Sequence, residues 1–99
     1  MTHEVNKNGW RGFLELCSKI QSPDEFNQIF DLFLTIEEKE TLSSRYLIIK
    51  ALLMGEATQR EIAEIHKVSI AQITRGSNAI KLISPELKKH LSKLIHDES

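Results

Sequence analysis

An all-α fold of six helices follows from three observations. No stretch of the chain alternates apolar and polar residues with period two, so no half-buried strand is signalled. Apolar residues recur instead at three- and four-residue spacing. Every such run after the first is preceded by a hydroxyl residue of the kind that caps a helix N-terminus. The chain has 99 residues, 40% hydrophobic and 27% charged, the balance of one globular domain. That composition excludes a disordered or collagen-like chain. Aromatic residues are only 6%, so Leu and Ile must build most of the core. A chain this short buries roughly 60–70% of its unfolded surface, which makes an isolated monomer marginal and oligomerisation a real option.

The elements follow in order. Residues 1–8 are polar and expected to fray. Phe13, Leu14, Leu16, Cys17 and Ile20 give helical spacing from about Trp10 to Ile20. Ser22-Pro23-Asp24-Glu25 combines an N-cap, a proline at the first helical position and a glutamate placed to reciprocate. It opens a helix carrying Phe26, Ile29, Phe30 and Phe33. Thr35-Ile36-Glu37-Glu38 is a second capping box, opening a longer helix from about Ile36 to Met54 that Gly55 ends. Thr58-Gln59-Arg60-Glu61 opens a short helix to about His66, and Ser69-Ile70-Ala71-Gln72 opens another to about Leu82. Ser84-Pro85-Glu86 starts the last, with Leu87, Leu91, Leu94 and Ile95. There is no internal repeat, low-complexity segment or linker.

Several function classes drop out early. No carboxylate pair, metal-ligand spacing or nucleophile–base set appears, so neither a catalytic site nor a metal site is expected. Cys17 is the single cysteine, among Leu14, Leu16 and Ile20, and reads as a small buried hydrophobe. No apolar run is long enough to span a membrane, and the N-terminus has no signal core. The cytoplasm is the expected compartment. Net charge is −1, which offers no bulk polycation argument for nucleic acid. The charge is uneven, however. Residues 1–57 carry six Lys/Arg and nine Asp/Glu, whereas residues 58–99 carry seven and five. No acidic residue falls between Glu64 and Glu86, while Lys67, Arg75 and Lys81 do. Local charge of this kind is what a phosphate backbone meets.

The two short helices stand only a few residues apart, the punctuation of a helix-turn-helix in which the first braces a second that enters the major groove. Ile62, Ala63, Val68, Ile73 and Ile80 supply the small or apolar residues for their crossing. The outward face of the second then holds Ile70, Ala71, Thr74, Asn78 and Lys81, with Gln59, Arg60 and Lys81 placed to hold phosphates. The competing reading is an ordinary helix pair with a solvated basic face. Lys67 occupies the turn position where glycine is usual; a left-handed lysine there costs roughly 1 kcal/mol, or the turn differs. A second oddity is Arg45, on the apolar stripe of the long helix with Leu42, Tyr46, Ile49, Leu52 and Leu53. It must snorkel out, pair with a neighbour such as Glu38, or meet an anionic ligand.

Gln59-Arg60-Glu61 followed by Ile73-Thr74-Arg75-Gly76-Ser77-Asn78 resembles the tryptophan repressor family. The likeness continues at fixed spacing through Leu34-Thr35, Arg45, Leu52-Leu53, Gly55-Glu56 and Pro85-Glu86-Leu87, and covers roughly residues 10–96. The resemblance implies a six-helix intertwined homodimer that binds L-tryptophan as corepressor, needs no other cofactor, and then binds double-stranded operator DNA. Under it, residues 1–99 form a single domain: 1–9 a flexible arm, 10–57 the dimerisation core, 58–82 the helix-turn-helix and 84–96 the C-terminal helix. Arg45 and Arg75 would flank the indole, Arg45 also meeting the carboxylate. Backbone carbonyls near Leu32, Leu34 and Thr35, from the second chain, would receive the ammonium group, and Gly76 would leave room beside the ring. Ala79 stands near the amino group where the family prototype has serine. Lys67 and Met54 likewise depart from the prototype's glycine and arginine. The DNA contacts implied are Gln59, Arg60, Ile70, Ala71, Thr74 and Lys81. The alternatives are a helix-turn-helix protein of this fold that ignores tryptophan, and a helical dimerisation module.

Overall fold

A computed structural model describes residues 4–55 and 57–96. The first three residues of the expected arm, and Glu56 of the family-like string, lie outside the described residues. Six helices follow one another: α1 (Lys7–Ser18), α2 (Pro23–Phe33), α3 (Ile36–Met54), α4 (Gln59–His66), α5 (Ile70–Leu82) and α6 (Pro85–His96). Among the described residues there is no strand. No described helix is long and apolar enough to cross a membrane.

The caps work as the sequence pattern requires. The Ser22 hydroxyl accepts from the Glu25 N–H at 3.1 Å, with Pro23 at the start of α2. Thr58 and Glu61 exchange both bonds of a capping box, and so do Ser69 and Gln72. The Ser84 hydroxyl accepts from the Leu87 N–H at 3.1 Å at the head of α6. Each such bond satisfies a donor that the helix itself leaves orphaned. Gly55, at φ 67°, closes α3 with a left-handed residue, and its N–H donates to the Ala51 carbonyl at 3.1 Å.

Helix α1 differs from the expected span. It begins at Lys7 rather than Trp10 and ends at Ser18 rather than Ile20. The cause is a cap that carries no hydroxyl: Asn6 Oδ1 accepts from the Gly9 N–H at 2.8 Å. Asparagine caps as well as serine does, and the low helix propensity of Gly9 and Gly12 hides the start.

The residues up to Thr35 form one compact unit and those from Ile36 onward another. In the first, Phe13 of α1 meets Phe30 and Phe33 of α2 at ring-centroid distances of 5.9 and 5.4 Å. Neither helix has a fully buried residue, Cys17 being only half-buried. In the second unit α3 packs against α4, α5 and α6. Ile48, Ile62 and Ile73 are 0–2% exposed, with Ala51, Leu52, Ala63 and Val68 packed around them. Within the chain, α3 shares its core with α4 and α5.

The expected stripe on α3 is also redrawn. Its buried residue is Ile48, while Leu42 and Tyr46 are exposed. This helix carries apolar residues around most of its circumference, and such a helix has no single face that spacing can select.

A cationic cleft and an exposed face on α4 and α5

Arg45, one turn before Ile48 and Ile49 on α3, and Arg75, beside Gly76 on α5, come together at one cleft of about 270 Å³. Thr41, Gln72 and Ala79 complete its lining. The volume lies just under the usual small-molecule range of about 300–1,000 Å³, which suits a ligand the size of one amino acid. The floor is aliphatic, from Ile48 and Ile49. The charges on its lining are the two guanidinium groups, with no Asp or Glu among them. Such a cleft favours a flat apolar body with an anionic end. Arginine, rather than lysine, can meet both, by stacking on a ring and by forked hydrogen bonding to a carboxylate.

Gly76 is required by a close approach. A Cβ built there would stand 2.9 Å from Ile48 Cγ2 and 3.6 Å from Leu52 Cδ1. The missing side chain therefore lets α5 lie tight against α3, in addition to keeping the cleft open at that point. Ala79 lies at the cleft. Leu32, Leu34 and Thr35 belong to the first unit.

Four lining residues escaped the sequence reading: Thr41, Ile48, Ile49 and Gln72. Each stands three or four positions from Arg45 or Arg75 on the same helix, so helical spacing counted outward from the two arginines would have found them. The Thr41 hydroxyl donates to the Glu37 carbonyl at 3.0 Å, which ties it to its own helix.

The turn between α4 and α5 resolves the question raised by Lys67. Its φ of 54° and ψ of 47° are left-handed, and its N–H donates to the Ala63 carbonyl as the C-cap of α4. Lysine thus holds the conformation that glycine adopts freely. At the other end of α4, the Thr58 N–H donates to Glu61 Oε1 at 3.0 Å. The bond from the Thr58 backbone, then that from its side chain, holds the Glu61 carboxyl below its ordinary value.

Every residue proposed for a DNA-facing surface is exposed: Gln59 and Arg60 in the first turn of α4, and Ile70, Ala71, Thr74, Asn78 and Lys81 along α5. Ile70 is 52% exposed, whereas Ile73, three residues on, is fully buried. The α5 helix thus has one face in the core and one in solvent. No group of His, Cys, Asp or Glu suited to a metal ion occurs among the described residues.

The sequence pattern of the family described as Trp repressor protein matches residues 8–95. A Trp operon repressor homolog of Chlamydia caviae is 57% identical over 94 residues, covering 95% of this chain and 93% of its own. That of Chlamydia trachomatis serovar D is 55% identical over 89 residues, covering 90% and 95%. A homolog from Vibrio vulnificus is 35% identical over 95 residues, covering 96% of this chain and 93% of its own. With a family match over residues 8–95 and sequence agreement over nearly its whole length, the chain belongs to the Trp repressor family.

Proposed function

We propose that the protein is a tryptophan-responsive transcriptional repressor, which binds operator DNA when L-tryptophan occupies the cleft between α3 and α5. The observation that carries this reading is the pair Arg45 and Arg75, one from each helix, on a cleft with an aliphatic floor and no acidic lining. In it the indole stacks between guanidinium groups and Arg45 meets the carboxylate. The cleft is bounded on one side by α5, so its contents bear on how the reading helix is held. The exposed residues Ile70, Ala71, Thr74 and Asn78 then face base edges, while Gln59, Arg60 and Lys81 hold phosphates.

The working form in this reading is a homodimer, with residues 10–57 joining the two chains, 58–82 reading DNA and 84–96 closing the fold. It is supported by the apolar surface of α1 and α2: Trp10, Leu14, Leu32 and Phe33 are 43–81% exposed, and neither helix buries a residue fully. Backbone carbonyls near Leu32, Leu34 and Thr35 of the second copy then receive the ammonium group.

Gating requires two states of α5, one of which binds L-tryptophan better. Coupling is reciprocal, so DNA tightens tryptophan binding by the factor by which tryptophan tightens DNA binding. The test is operator affinity against L-tryptophan concentration for the wild type and Arg45→Ala. The variant is expected to lose the tryptophan response and keep weak, salt-sensitive DNA binding. A response unchanged in the variant, or absent in the wild type, would leave a helix-turn-helix protein indifferent to tryptophan.

A further inference from the structure

Gln72 belongs to two constellations at once. Its Oε1 accepts from the Ser69 N–H at 2.9 Å and from the Ser69 hydroxyl at 3.3 Å. Its own backbone N–H donates to Ser69 Oγ at 3.1 Å, closing the capping box that starts α5. Gln72 also lines the cleft that holds Arg45 and Arg75. A carboxamide oxygen has two lone pairs, and Ser69 engages both. What Gln72 has left to offer the cleft is the amide nitrogen, with two N–H donors and no acceptor. Beside two guanidinium groups, such a donor fits an anionic acceptor and has nothing to offer an indole N–H. In L-tryptophan the only anionic acceptor is the carboxylate.

We propose that Gln72 is a positioning residue that ties the occupied cleft to the first turn of the reading helix. Its nitrogen donates to the ligand carboxylate while its oxygen holds the cap at Ser69. The inference rests on the assignment of the cleft to L-tryptophan. Without ligand the exposed carboxamide exchanges its bonds with water. With ligand its orientation is held from the nitrogen side, and Oε1 stays on Ser69. The turn so held carries Ile70 and Ala71, at the end of a recognition helix that meets base edges first. A charge-assisted bond at one end of a hydrogen-bonded group also strengthens the bonds at its other end.

Gln72→Glu separates the two jobs. Glutamate closes a capping box as glutamine does, yet it has no N–H to donate and places a negative charge at the cleft. Its melting midpoint without ligand is expected to stay close to that of the wild type. Its affinity for L-tryptophan by calorimetry should fall on the order of tenfold or more, the value of a hydrogen bond to a charged group. Amide hydrogen exchange supplies the readout that a purely structural cap would not move. Saturating L-tryptophan should slow exchange at the amides of positions 72 and 73 in the wild type and leave them unchanged in the variant. Both amides donate to Ser69, the second to its carbonyl at 3.2 Å. Wild-type affinity in Gln72→Glu overturns the proposal. So does an equal gain of protection in both proteins, or no gain in the wild type at saturation. If the wild type takes up no L-tryptophan at all, the assignment of the cleft itself fails, an outcome distinct from the others.

Discussion

Adding one methyl group at Gly76 sets two opposed effects against each other. Glycine inside a helix costs roughly 0.5–1 kcal/mol relative to alanine, so Gly76→Ala on an open helix face would stabilise. Here the new Cβ meets Ile48 Cγ2 at 2.9 Å, whereas carbon atoms rest at about 3.5–4.0 Å. Ile48 is 2% exposed and β-branched within α3, so its χ1 has in effect one rotamer and the methyl cannot swing aside. Either Ile48 leaves its rotamer or α5 backs away from α3 by roughly 0.6 Å or more, the shortfall from contact distance. Overpacking of this kind costs about 1–3 kcal/mol. Subtracting the helix gain leaves a net loss of about 0–2.5 kcal/mol. The effect on the cleft is the larger one, because Gly76, Ile48 and both arginines line it and a binding site tolerates displacements of only about 0.5 Å. L-Tryptophan affinity should therefore fall on the order of tenfold while the protein stays folded. Urea melts and calorimetry on the same samples read the two quantities. Ile48→Leu, which lacks the offending Cγ2 at nearly constant volume, should recover part of both losses when combined with Gly76→Ala, a favourable coupling in a double-mutant cycle. A Gly76→Ala protein that is more stable than the wild type and binds L-tryptophan unchanged would refute the reasoning.

Lys67→Gly should stabilise the fold by about 0.5–1 kcal/mol, since the roughly 1–2 kcal/mol of left-handed strain relieved exceeds the entropy glycine adds to the unfolded chain. Thermal melts check it, and a less stable variant would mean that the lysine side chain makes a compensating contact. Lys81→Ala should weaken binding to operator and random DNA alike and lower the salt slope by about one phosphate, whereas Thr74→Ala should mainly reduce the preference for operator. Equal proportional losses for both variants on both DNAs would disprove the division of the face between phosphate and base contacts. Because α1 and α2 leave aromatic surface uncovered, unfolding should depend on protein concentration, and a monomeric mass by light scattering at micromolar concentration would contradict the dimer.

Much of this protein is legible in its sequence because the signals are local. A cap acts over three residues, so Ser22, Thr58, Ser69 and Ser84 mark the heads of α2, α4, α5 and α6 wherever those helices later pack. Gly55 ends α3 for the same reason, as a left-handed residue where a helix must stop. Alternation between a buried Ile73 and an exposed Ile70 likewise follows from spacing on one helix. What spacing does not contain is which neighbour arrives. Ile48 rather than Leu42 or Tyr46 is buried because α5 comes to lie against that side of α3, closely enough to demand glycine at position 76. Thr41, Ile49 and Gln72 reach the cleft only through that crossing. Lys67 takes a left-handed turn because packing of α4 on α5 outweighs a local cost of about 1–2 kcal/mol. Caps are settled by neighbours in sequence. Burial and the cleft are settled by contacts between residues some thirty positions apart, from Arg45 to Arg75, and only the packed tertiary structure brings those together.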